Sequence, residues 1–371
     1  MTDDHRNDLA PLRIALDGTA LSFPPSGIRT YVEALIAEFS QEPRHVTVSV
    51  LAPVSAQGRK MPAKLNRALW DIRGVAVAAT GNDVLHIPHG SAPYRRSGPT
   101  VVTLHDLIPV TESAYRVSFL MRSFQYVMAR SIPRAQAVIV PSQYVANQAR
   151  DVLEISPERL HVIPMAAGPA FRPATHRDKL PDAIVALGVT GPYVFNVGGF
   201  DVRKNLPVLL EAFARFSHRV SEPFQLVIAG APHTSNPHIY PPIDPVIDRL
   251  GLRNRVVVPG FISDDVKVAL YQHAAMYVTP SLSEGFGMTA LEAMACGTPV
   301  IATNTTSLPE VVGTSGILVP PHPEPVASAM THIASSSDVA KHVGQSGLDR
   351  SKRFSWRETA RQTAIVYQAV L

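Results

Sequence analysis

The sequence has little cysteine and no long apolar run. A single cysteine, Cys296, excludes a disulfide within the chain. No segment approaches the roughly 20 consecutive apolar residues that span a bilayer. The first residues, MTDDHRNDLAPLR, are acidic and polar where a secretory signal would be basic and then apolar. We therefore expect a cytoplasmic protein.

The sequence also lacks an obvious metal-binding pattern. No two aspartates are separated by one residue, the close spacing at which aspartates hold a divalent ion beside a diphosphate. The segment HIPH places His86 and His89 three residues apart, but Pro88 breaks any helix there and no third ligand is evident. We predict neither a metal nor an organic cofactor.

Length and composition favour a two-domain globular enzyme. The chain has 371 residues, of which 46% are hydrophobic and 17% charged. The formal charge is +4, and residues 1 to 180 carry the whole excess, with 20 Lys and Arg against 15 Asp and Glu. Basic, aromatic stretches at 59–73 and 115–134 could contact an anionic membrane surface or an acidic acceptor, or be ordinary solvated helix faces. We expect no nucleic acid partner.

Two series of short apolar runs alternate with helical patterns. Uniformly apolar strands separated by helices indicate parallel sheets with right-handed crossovers. We predict an α/β protein of two Rossmann-like doubly wound domains, 1–180 and 190–355, with 166–192 as the linker and 356–371 as a last helix. Ligands should bind beyond the carboxyl ends of the strands, in a cleft between the domains. The predicted strands are 12–16, 46–51, 83–87, 100–104, 137–140, 161–163, 193–198, 225–230, 255–260, 276–280, 299–302 and 317–320.

The segment PSLSEGFGMTALEAMACGTPV, residues 280–300, carries the strongest chemical signal. A strand ends, a loop holds Glu284, and a helix begins near Met288 with no obvious capping residue unless Thr289 serves. Free amides at such a helix start are suited to a phosphate. Glu292 should turn towards the loop of Glu284, which would bring two carboxylates together. The alternative is a plain tight turn with glutamates on a wet surface.

The segment YVFNVGGFDVRKNLPVLLEAF, residues 193–213, is again strand, loop and helix. We predict Asn205 as the helix N-cap. Arg203 and Lys204 precede it at the end of the strand, where they could hold a pyrophosphate in place of a metal. A generic surface pair of cations is the alternative.

Two loops of the first half are further candidates. Gly27 precedes a helix with a one-sided apolar face and could let a backbone approach donor phosphates, although a turn glycine is the alternative. His105 and Asp106 end the strand TVVTL. His105 is the best candidate here for contact with a reacting ligand, and a buried histidine satisfied by backbone is the alternative.

These motifs together resemble the retaining GT-B glycosyltransferases of family four, also called glycosyl transferases group 1. The similar residues are EGFG with ALEAMACGTPVIA and PEVV, RKN before an amphipathic helix, SGI with Tyr31 near the start, and TLHDLIP. They extend over roughly residues 12 to 320. Two glutamates eight positions apart in this context are far more specific than a lone glycine motif.

The resemblance implies a role for each matching residue. Domain 1–180 would bind the acceptor and 190–355 the nucleotide-sugar, with the last helix crossing back. Glu284 would contact donor-sugar hydroxyls, Glu292 the ribose and Lys204 the diphosphate. The remaining implied site comprises the backbone at Gly285, Phe286, Gly287, Met288 and Thr289, with Gly27 near the phosphates and His105 near the reacting carbon.

The sequence departs from the family at one position. Many members carry an arginine five residues before the lysine, where this chain has Gly199, and Arg203 stands directly before Lys204 instead. The RKN form resembles members that use GDP-mannose. We therefore expect a mannosyltransferase-like enzyme of polysaccharide biosynthesis, with UDP-glucose or another nucleotide-sugar as the alternative donor. A glycan or a lipid-linked acceptor, peripheral membrane contact, epimerisation or phosphorolysis on the same scaffold, and a non-catalytic sugar binder remain open.

Overall fold

The chain divides into two compact units. The computed structural model describes residues 11–22, 26–41, 46–53, 69–93, 98–115, 129–176, 179–230 and 236–371. The first unit comprises Met1–Val110, Ser118–Pro164 and Trp356–Leu371, and the second comprises Thr111–Val117 and Met165–Ser355. The basic stretches noted above lie largely outside the described residues, at 59–68 and 116–128.

The first unit is built on a six-stranded parallel sheet. Its strands are β1 (Leu12–Asp17), β2 (Val46–Leu51), β3 (Val84–Ile87), β4 (Thr100–Thr103), β5 (Ala137–Val140) and β6 (Leu160–Val162). They lie in the order β2-β1-β3-β4-β5-β6. The central strands β3, β4 and β5 are buried throughout, while the edge strand β2 is largely solvent-facing.

The second unit repeats this plan. Its strands are β7 (Tyr193–Val197), β8 (Gln225–Ala229), β9 (Val256–Gly260), β10 (Met276–Thr279), β11 (Val300–Thr303) and β12 (Ile317–Val319). The order is β12-β11-β10-β7-β8-β9, and every described pairing in both sheets is parallel. The prediction of two doubly wound α/β units is therefore confirmed.

Helices follow the strands in both units. The described helices are α1 (Gly27–Gln41), α2 (Val75–Ala78, after a π turn Trp70–Gly74), α3 (Ile108–Thr111), α4 (Gln143–Leu153), α5 (Asp182–Val185), α6 (Leu206–Ser217), α7 (Asp244–Arg249), α8 (Asp264–His273), α9 (Met288–Ala295), α10 (Leu308–Val312), α11 (Pro323–Ala334), α12 (Ser337–Ser351) and α13 (Trp356–Ala369). Short 3-10 turns span Thr19–Ser22, Ser113–Tyr115, Ile132–Arg134, Pro157–Arg159 and Val202–Lys204. The amphipathic face of α1 buries Tyr31, Val32, Leu35 and Phe39.

The stretch predicted as a linker is part of the second unit. Ile184 on α5 and Val189 are fully buried, and they pack in a core that includes Phe195, Tyr271 and Met294. Burial of these aliphatic side chains fixes the stretch against the sheet. The sequence did not indicate this because its glycines and prolines obscure the short helix.

The last helix belongs to the first unit. Tyr367 on α13 contacts His86 on β3, with its hydroxyl 2.6 Å from His86 Nδ1. The other ring nitrogen, Nε2, lies 2.8 Å from the hydroxyl of Thr103. Burial lowers the pKa of His86 to about 3, so this histidine is a neutral structural link.

Among the described residues, no helix combines the length and apolar character needed to cross a bilayer.

Two tyrosines in the core of the second unit provide a test of hydrogen-bond satisfaction. Tyr277 and Tyr271 are fully buried with rings 5.3 Å apart. Among the described residues, Tyr277 Oη has no hydrogen-bond partner, whereas Tyr271 Oη donates to Glu292 at 3.0 Å. An unpaired buried hydroxyl contributes nothing to offset its desolvation.

We therefore expect Tyr277→Phe to leave the free energy of unfolding of the second unit unchanged or to raise it by about 1 kcal/mol. Tyr271→Phe should lower this free energy by about 1–3 kcal/mol. Calorimetric melting of both variants measures the difference. Equal losses in the two would show that Tyr277 has a partner.

Candidate functional site

In the sheet of the second unit, the strand order reverses between the neighbours β7 and β10. The strands that follow β7 in the chain are added on one side, and those that follow β10 are added on the other. Loops that leave the carboxyl ends of two such strands diverge and create a crevice, which is where open α/β sheets bind ligands. Residues 198–205 follow β7 and residues 280–287 follow β10, so the two motifs singled out in the sequence meet here.

The two loops are joined by backbone contacts. The amide of Leu282 donates to the carbonyl of Arg203 at 2.7 Å, and the side-chain amide of Asn205 donates to the carbonyl of Pro280 at 3.2 Å. Asn205 occupies the N-cap position of α6, as predicted, with φ of 54°. Its side chain makes no capping hydrogen bond and holds the neighbouring loop instead.

Glu284 lies between two cations. Its Oε1 accepts from Lys204 Nζ at 2.6 Å and from the hydroxyl of Ser281 at 2.8 Å. Its Oε2 accepts from Arg203 Nη1 at 3.0 Å. The glutamate side chain is only 10% exposed, against 24% for Arg203 and 12% for Lys204. A charge this well shielded from water is stable because it is paired.

The ionisation of Glu284 follows from these contacts. Burial by itself would raise the pKa of the carboxyl, but the charges of Lys204 and Arg203 outweigh it and hold the pKa below its usual value. Glu284 is therefore a carboxylate at neutral pH.

Arg203 has a second acidic partner that the sequence prediction missed. Its Nε lies 3.0 Å from Asp201 Oδ1, and the same oxygen accepts from the hydroxyl of Tyr115 at 2.5 Å. Gly199 leaves room for this carboxylate, because a Cβ there would lie 2.9 Å from Asp201 Oδ2. Tyr115 comes from the short segment Thr111–Val117, which groups with the second unit.

The residues after β11 support the Glu284 loop. Thr306 Oγ1 accepts from the amide of Glu284 at 3.1 Å, and the hydroxyl of Ser307 donates to its carbonyl at 2.9 Å. Thr306 has φ of 51°, which is rare for a β-branched residue. The tertiary contacts therefore hold a backbone conformation that local preference disfavours, and they fix where Glu284 points.

Helix α9 begins at Met288, as predicted. Gly287 takes the N-cap position with φ of 108°, and no side chain caps the helix. A Cβ at Gly287 would lie 2.9 Å from Leu308 Cδ2, so both the dihedral angle and the packing require glycine. Phe286 is buried and packs edge-on against Phe354, with ring centroids 5.9 Å apart, while Met288 and Thr289 are half-buried.

Glu292 does not turn towards the Glu284 loop, which corrects the expectation that the two carboxylates converge. Its Oε1 lies 3.3 Å from Lys267 Nζ, and its Oε2 accepts from Tyr271 at 3.0 Å. Both partners lie on α8 and were not predicted. Burial raises the pKa of Glu292 despite the opposing effect of Lys267. The two glutamates therefore have opposite pKa shifts.

The switch point of the first unit lies between β1 and β3, which are paired neighbours with divergent chain order. His105 follows β4 in this sheet. Its Nε2 lies 3.2 Å from the carbonyl oxygen of Pro88, and its ring packs edge-on against Tyr31 with centroids 5.1 Å apart. A carbonyl can only accept, so Nε2 carries the proton and Nδ1 is the acceptor nitrogen. Desolvation lowers the pKa of His105 to about 4, which makes the imidazole neutral at pH 7.

His105 and Gly27 are both exposed to solvent to some degree, unlike His86. A cavity of about 250 Å³ lies beside His105, and its lining is Ile28, Gly90, Leu104, His105, Asp106, Leu107, Pro109, Val110, Ala129 and Ile132. Gly27 has no left-handed φ, and no described atom lies within 4 Å of where its Cβ would be. The turn itself therefore does not require glycine at this position.

The segment HIPH has a different environment from the one predicted. His89 Nε2 lies 3.0 Å from Asp17 Oδ2, and a ligand atom of Asp71 lies within 4.8 Å of both residues. Three buried groups that could hold a metal thus meet, although no third ligand was evident in the sequence. The oxygens of Asp17 are already occupied by other donors, since Trp70 Nε1 donates to Oδ2 at 3.2 Å and the amide of Thr19 to Oδ1 at 2.9 Å. Burial alone would raise the pKa of Asp17, but the contact with His89 and the hydrogen bonds from Thr19 lower it to about 2.

Two sequence profiles cover most of the chain. The profile described as Glycosyl transferases group 1 matches residues 182–350, and that described as Glycosyltransferase Family 4 matches residues 25–167. The chain belongs to the group 1 and family 4 glycosyltransferases.

Similar proteins agree with this assignment. Serotype-specific mannosyltransferase WbdA of Escherichia coli is 27% identical over 314 residues, which cover 80% of this chain but only 38% of the relative. The chain thus spans little more than a third of that protein. Sucrose-phosphate synthase of Thermosynechococcus elongatus has the same fold, with a TM-score of 0.77 and 22% identity over 96% of this chain and 98% of that one. HepE of Anabaena, in complex with UDP and glucose, has a TM-score of 0.73 and 21% identity over 96% and 99%.

The second unit brings together most of the residues that the sequence predicted to bind a donor. Arg203, Lys204 and Glu284 are in direct contact, and the backbone of 285–289 continues from Glu284 into α9. Glu292 has a separate set of partners, and His105 and Gly27 lie in the first unit. Asp201 was the missed residue with a local signal, because an acidic residue two positions before RK is an obvious charge partner.

The cluster around Glu284 can be tested without a ligand. We expect Lys204→Met to destabilise the second unit by about 1–3 kcal/mol, because it leaves a buried carboxylate with one cation fewer. In the double variant Lys204→Met with Glu284→Gln, much of this loss should be recovered. Calorimetric melting of the wild type, both single variants and the double variant gives the coupling energy. Additive losses would mean that the contact contributes nothing to stability.

Proposed function

We propose that this chain transfers a hexose from a nucleotide-sugar to a glycan or lipid-linked acceptor, with retention of anomeric configuration and without a metal. The observation that carries the proposal is the contact of Arg203 and Lys204 with Glu284, directly before the uncapped start of α9. This arrangement places two fixed cations, a helix amino end and a sugar-binding carboxylate at one point. The family membership supports the same conclusion.

The cations would stabilise the leaving group. As the bond between the anomeric carbon and the phosphate breaks, negative charge develops on the departing diphosphate, and preorganised positive charge lowers the energy of that state. Lys204 and Arg203 provide this charge from the chain itself, and the first amides of α9 add to it. No step of this kind requires an ion.

The two glutamates would hold the donor at different places. Glu284, ionised and next to the helix start, can accept hydrogen bonds from sugar hydroxyls. Glu292 is one turn further along α9 and is held by Lys267 and Tyr271, a position that suits ribose hydroxyls. The contacts of the two glutamates within the chain are compatible with these roles. A carboxylate whose lone pairs are not all used by the chain can accept further hydrogen bonds from ligand hydroxyls.

The donor is proposed to be GDP-mannose. The RKN pattern before α6 and the name of the E. coli relative, a mannosyltransferase, support this choice. UDP-glucose is the alternative, because a solved structure with the same fold holds UDP and glucose.

The acceptor is proposed to bind at the first unit, next to His105. The neutral imidazole there can accept a hydrogen bond from a sugar hydroxyl through Nδ1. The largely apolar cavity beside it and the basic surplus of residues 1–180 suit an acceptor with a lipid part at an anionic membrane face. The protein would then act in polysaccharide biosynthesis, at the cytoplasmic side of the membrane.

The proposed reaction proceeds on one face of the sugar. The anomeric carbon loses the diphosphate and acquires oxocarbenium character, and the acceptor oxygen forms its bond on the same face. The hydroxyl proton passes to the departing phosphate oxygen, so the products are a glycoside and a nucleoside diphosphate. The sequence offers no obvious covalent nucleophile, which favours this route over a double displacement.

The function is tested by a ligand screen followed by product analysis. We expect GDP-mannose to raise the melting temperature more than other nucleotide-sugars, because a ligand stabilises the state that binds it. Proton NMR of the first product formed should show the anomeric configuration of the donor.

The same assay tests the role of Lys204. Lys204→Ala should lower turnover by about 10²- to 10³-fold, with or without added Mg²⁺, while EDTA leaves the wild type unaffected. Lys352→Ala, an exposed lysine of the same unit, is the matched control. Turnover that persists in Lys204→Ala would remove this account of the leaving group, and binding without any product would favour a sugar binder.

The opposite pKa shifts of the glutamates predict an acid limit for donor binding. The raised pKa of Glu292 means that it is protonated first as pH falls, whereas Glu284 with its lowered pKa stays ionised. Protonation removes an acceptor for ribose, so the dissociation constant of the nucleoside diphosphate should rise as pH falls below neutral. The folded unit should gain stability from this group over the same interval, since its ionised form is the disfavoured one.

Calorimetric titration with GDP at a series of pH values from neutral to acidic measures the effect. In Glu292→Gln the pH dependence should be absent. An unchanged pH profile in that variant would assign the effect to another group.

A further inference from the structure

The cations that would hold the diphosphate are already neutralised within the chain. Arg203 and Lys204 carry two positive charges, and Asp201 and Glu284 carry two negative charges, all linked by contacts of 2.6 to 3.0 Å. A diphosphate that approaches this cluster therefore meets no free positive charge. It has to replace a carboxylate that is already there.

The two carboxylates are not equivalent. Glu284 is the acid that contacts both cations, through Oε1 to Lys204 and Oε2 to Arg203. Asp201 contacts Arg203 through Nε, on the stem side of the guanidinium. Withdrawal of Glu284 would remove the acid from Lys204 Nζ and from Arg203 Nη1, which also donates to the carbonyl of Ser283 at 3.4 Å, whereas Asp201 would keep its contact with Nε.

Asp201 is itself fixed. It is 6% exposed, and Tyr115 donates to the same oxygen that accepts from Arg203 Nε. Any side chain at position 199 would crowd its other oxygen. A fixed carboxylate that binds a guanidinium at Nε orients the whole group. The opposite edge of the guanidinium then faces an incoming anion that can accept two hydrogen bonds.

We propose that Glu284 is an internal counter-ion that competes with the donor diphosphate for Lys204 and Arg203, and that Asp201, held by Tyr115, is a positioning residue that keeps Arg203 aimed at the diphosphate. This inference rests on the proposed function. Donor binding then exchanges one set of charge pairs for another. Glu284 is released towards the sugar hydroxyls at the moment when the diphosphate takes its place on the cations.

The exchange links sugar recognition to phosphate binding. A nucleoside diphosphate without a sugar displaces Glu284 but gives it no new partner, so part of the binding free energy is lost in leaving a buried carboxylate unpaired. The sugar hydroxyls of an intact donor can donate hydrogen bonds to the displaced Glu284 carboxylate and so offset this loss. The intact donor should therefore bind better than the product, which favours product release.

The test compares two substitutions that remove the same charge from the same cluster. Wild type, Glu284→Gln and Asp201→Asn are titrated calorimetrically with GDP and UDP, and Glu324→Gln, whose acid pairs with arginines on the surface of the same unit, is the control. We expect Glu284→Gln to bind nucleoside diphosphate roughly threefold to tenfold tighter, and Asp201→Asn to bind it weaker by a similar factor. Transfer should be slower in both, with the loss in kcat for Glu284→Gln and largely in KM for Asp201→Asn. Glu324→Gln should match the wild type.

A shift in the same direction for both variants overturns the proposal. Tighter binding in both would reflect simple removal of negative charge, and weaker binding in both would reflect a structural role. Should Asp201→Asn fail to fold, Tyr115→Phe keeps all the charges and removes the hydroxyl that holds Asp201, and it should weaken binding in the same direction. Wild type that binds neither GDP nor UDP would instead refute the proposed function itself, and the inference with it.

Discussion

The ion pairs of Glu284 with Lys204 and Arg203 are the interaction on which the rest of the site depends. A buried carboxylate is costly unless it is paired, and here the pairing also joins the loop after β7 to the loop after β10. Asp201 contacts Arg203, and Thr306 accepts from the amide of Glu284, so both residues adjoin this pairing. The charges of the cluster thus hold two loops of the chain to each other.

Parallel topology explains why that site forms where it does. In each unit the strand order reverses once between two neighbours, β1 and β3 in the first and β7 and β10 in the second. The loops that leave such strands diverge and leave a crevice. In the second unit the crevice carries cations and carboxylates. In the first, a buried network of Asp17, Trp70 and His89 occupies the corresponding place, and His105 follows β4, the strand next to β3.

Environment gives two similar glutamates different chemistry. Glu284 and Glu292 lie eight residues apart, and both are nearly inaccessible to solvent, yet the pKa of one is lowered and that of the other raised. Glu284 has two cations within hydrogen-bond distance, whereas Glu292 has one lysine and one tyrosine. The balance between desolvation and pairing therefore decides which carboxyl stays ionised in acid.

The sequence by itself determined the architecture and the identity of the cluster. Short apolar runs with helical patterns between them specify parallel sheets, since only strands covered on both faces are so uniformly apolar, and a glycine-bearing loop before an uncapped helix marks an anion site. The sequence pattern predicted neither the exposure of the edge strand β2 nor the burial of the short helix α5. In both elements the burial depends on the neighbouring elements rather than on the local pattern. Only the tertiary structure decided the partners. The Asn205 side chain donates to the carbonyl of Pro280 instead of capping α6. Glu292 is hydrogen-bonded to Lys267 and Tyr271. Tyr115 donates to Asp201, which is 86 positions away in the sequence. A local pattern records which groups a segment offers, but a hydrogen bond between segments forms only once the packing of the core has set their distance and direction.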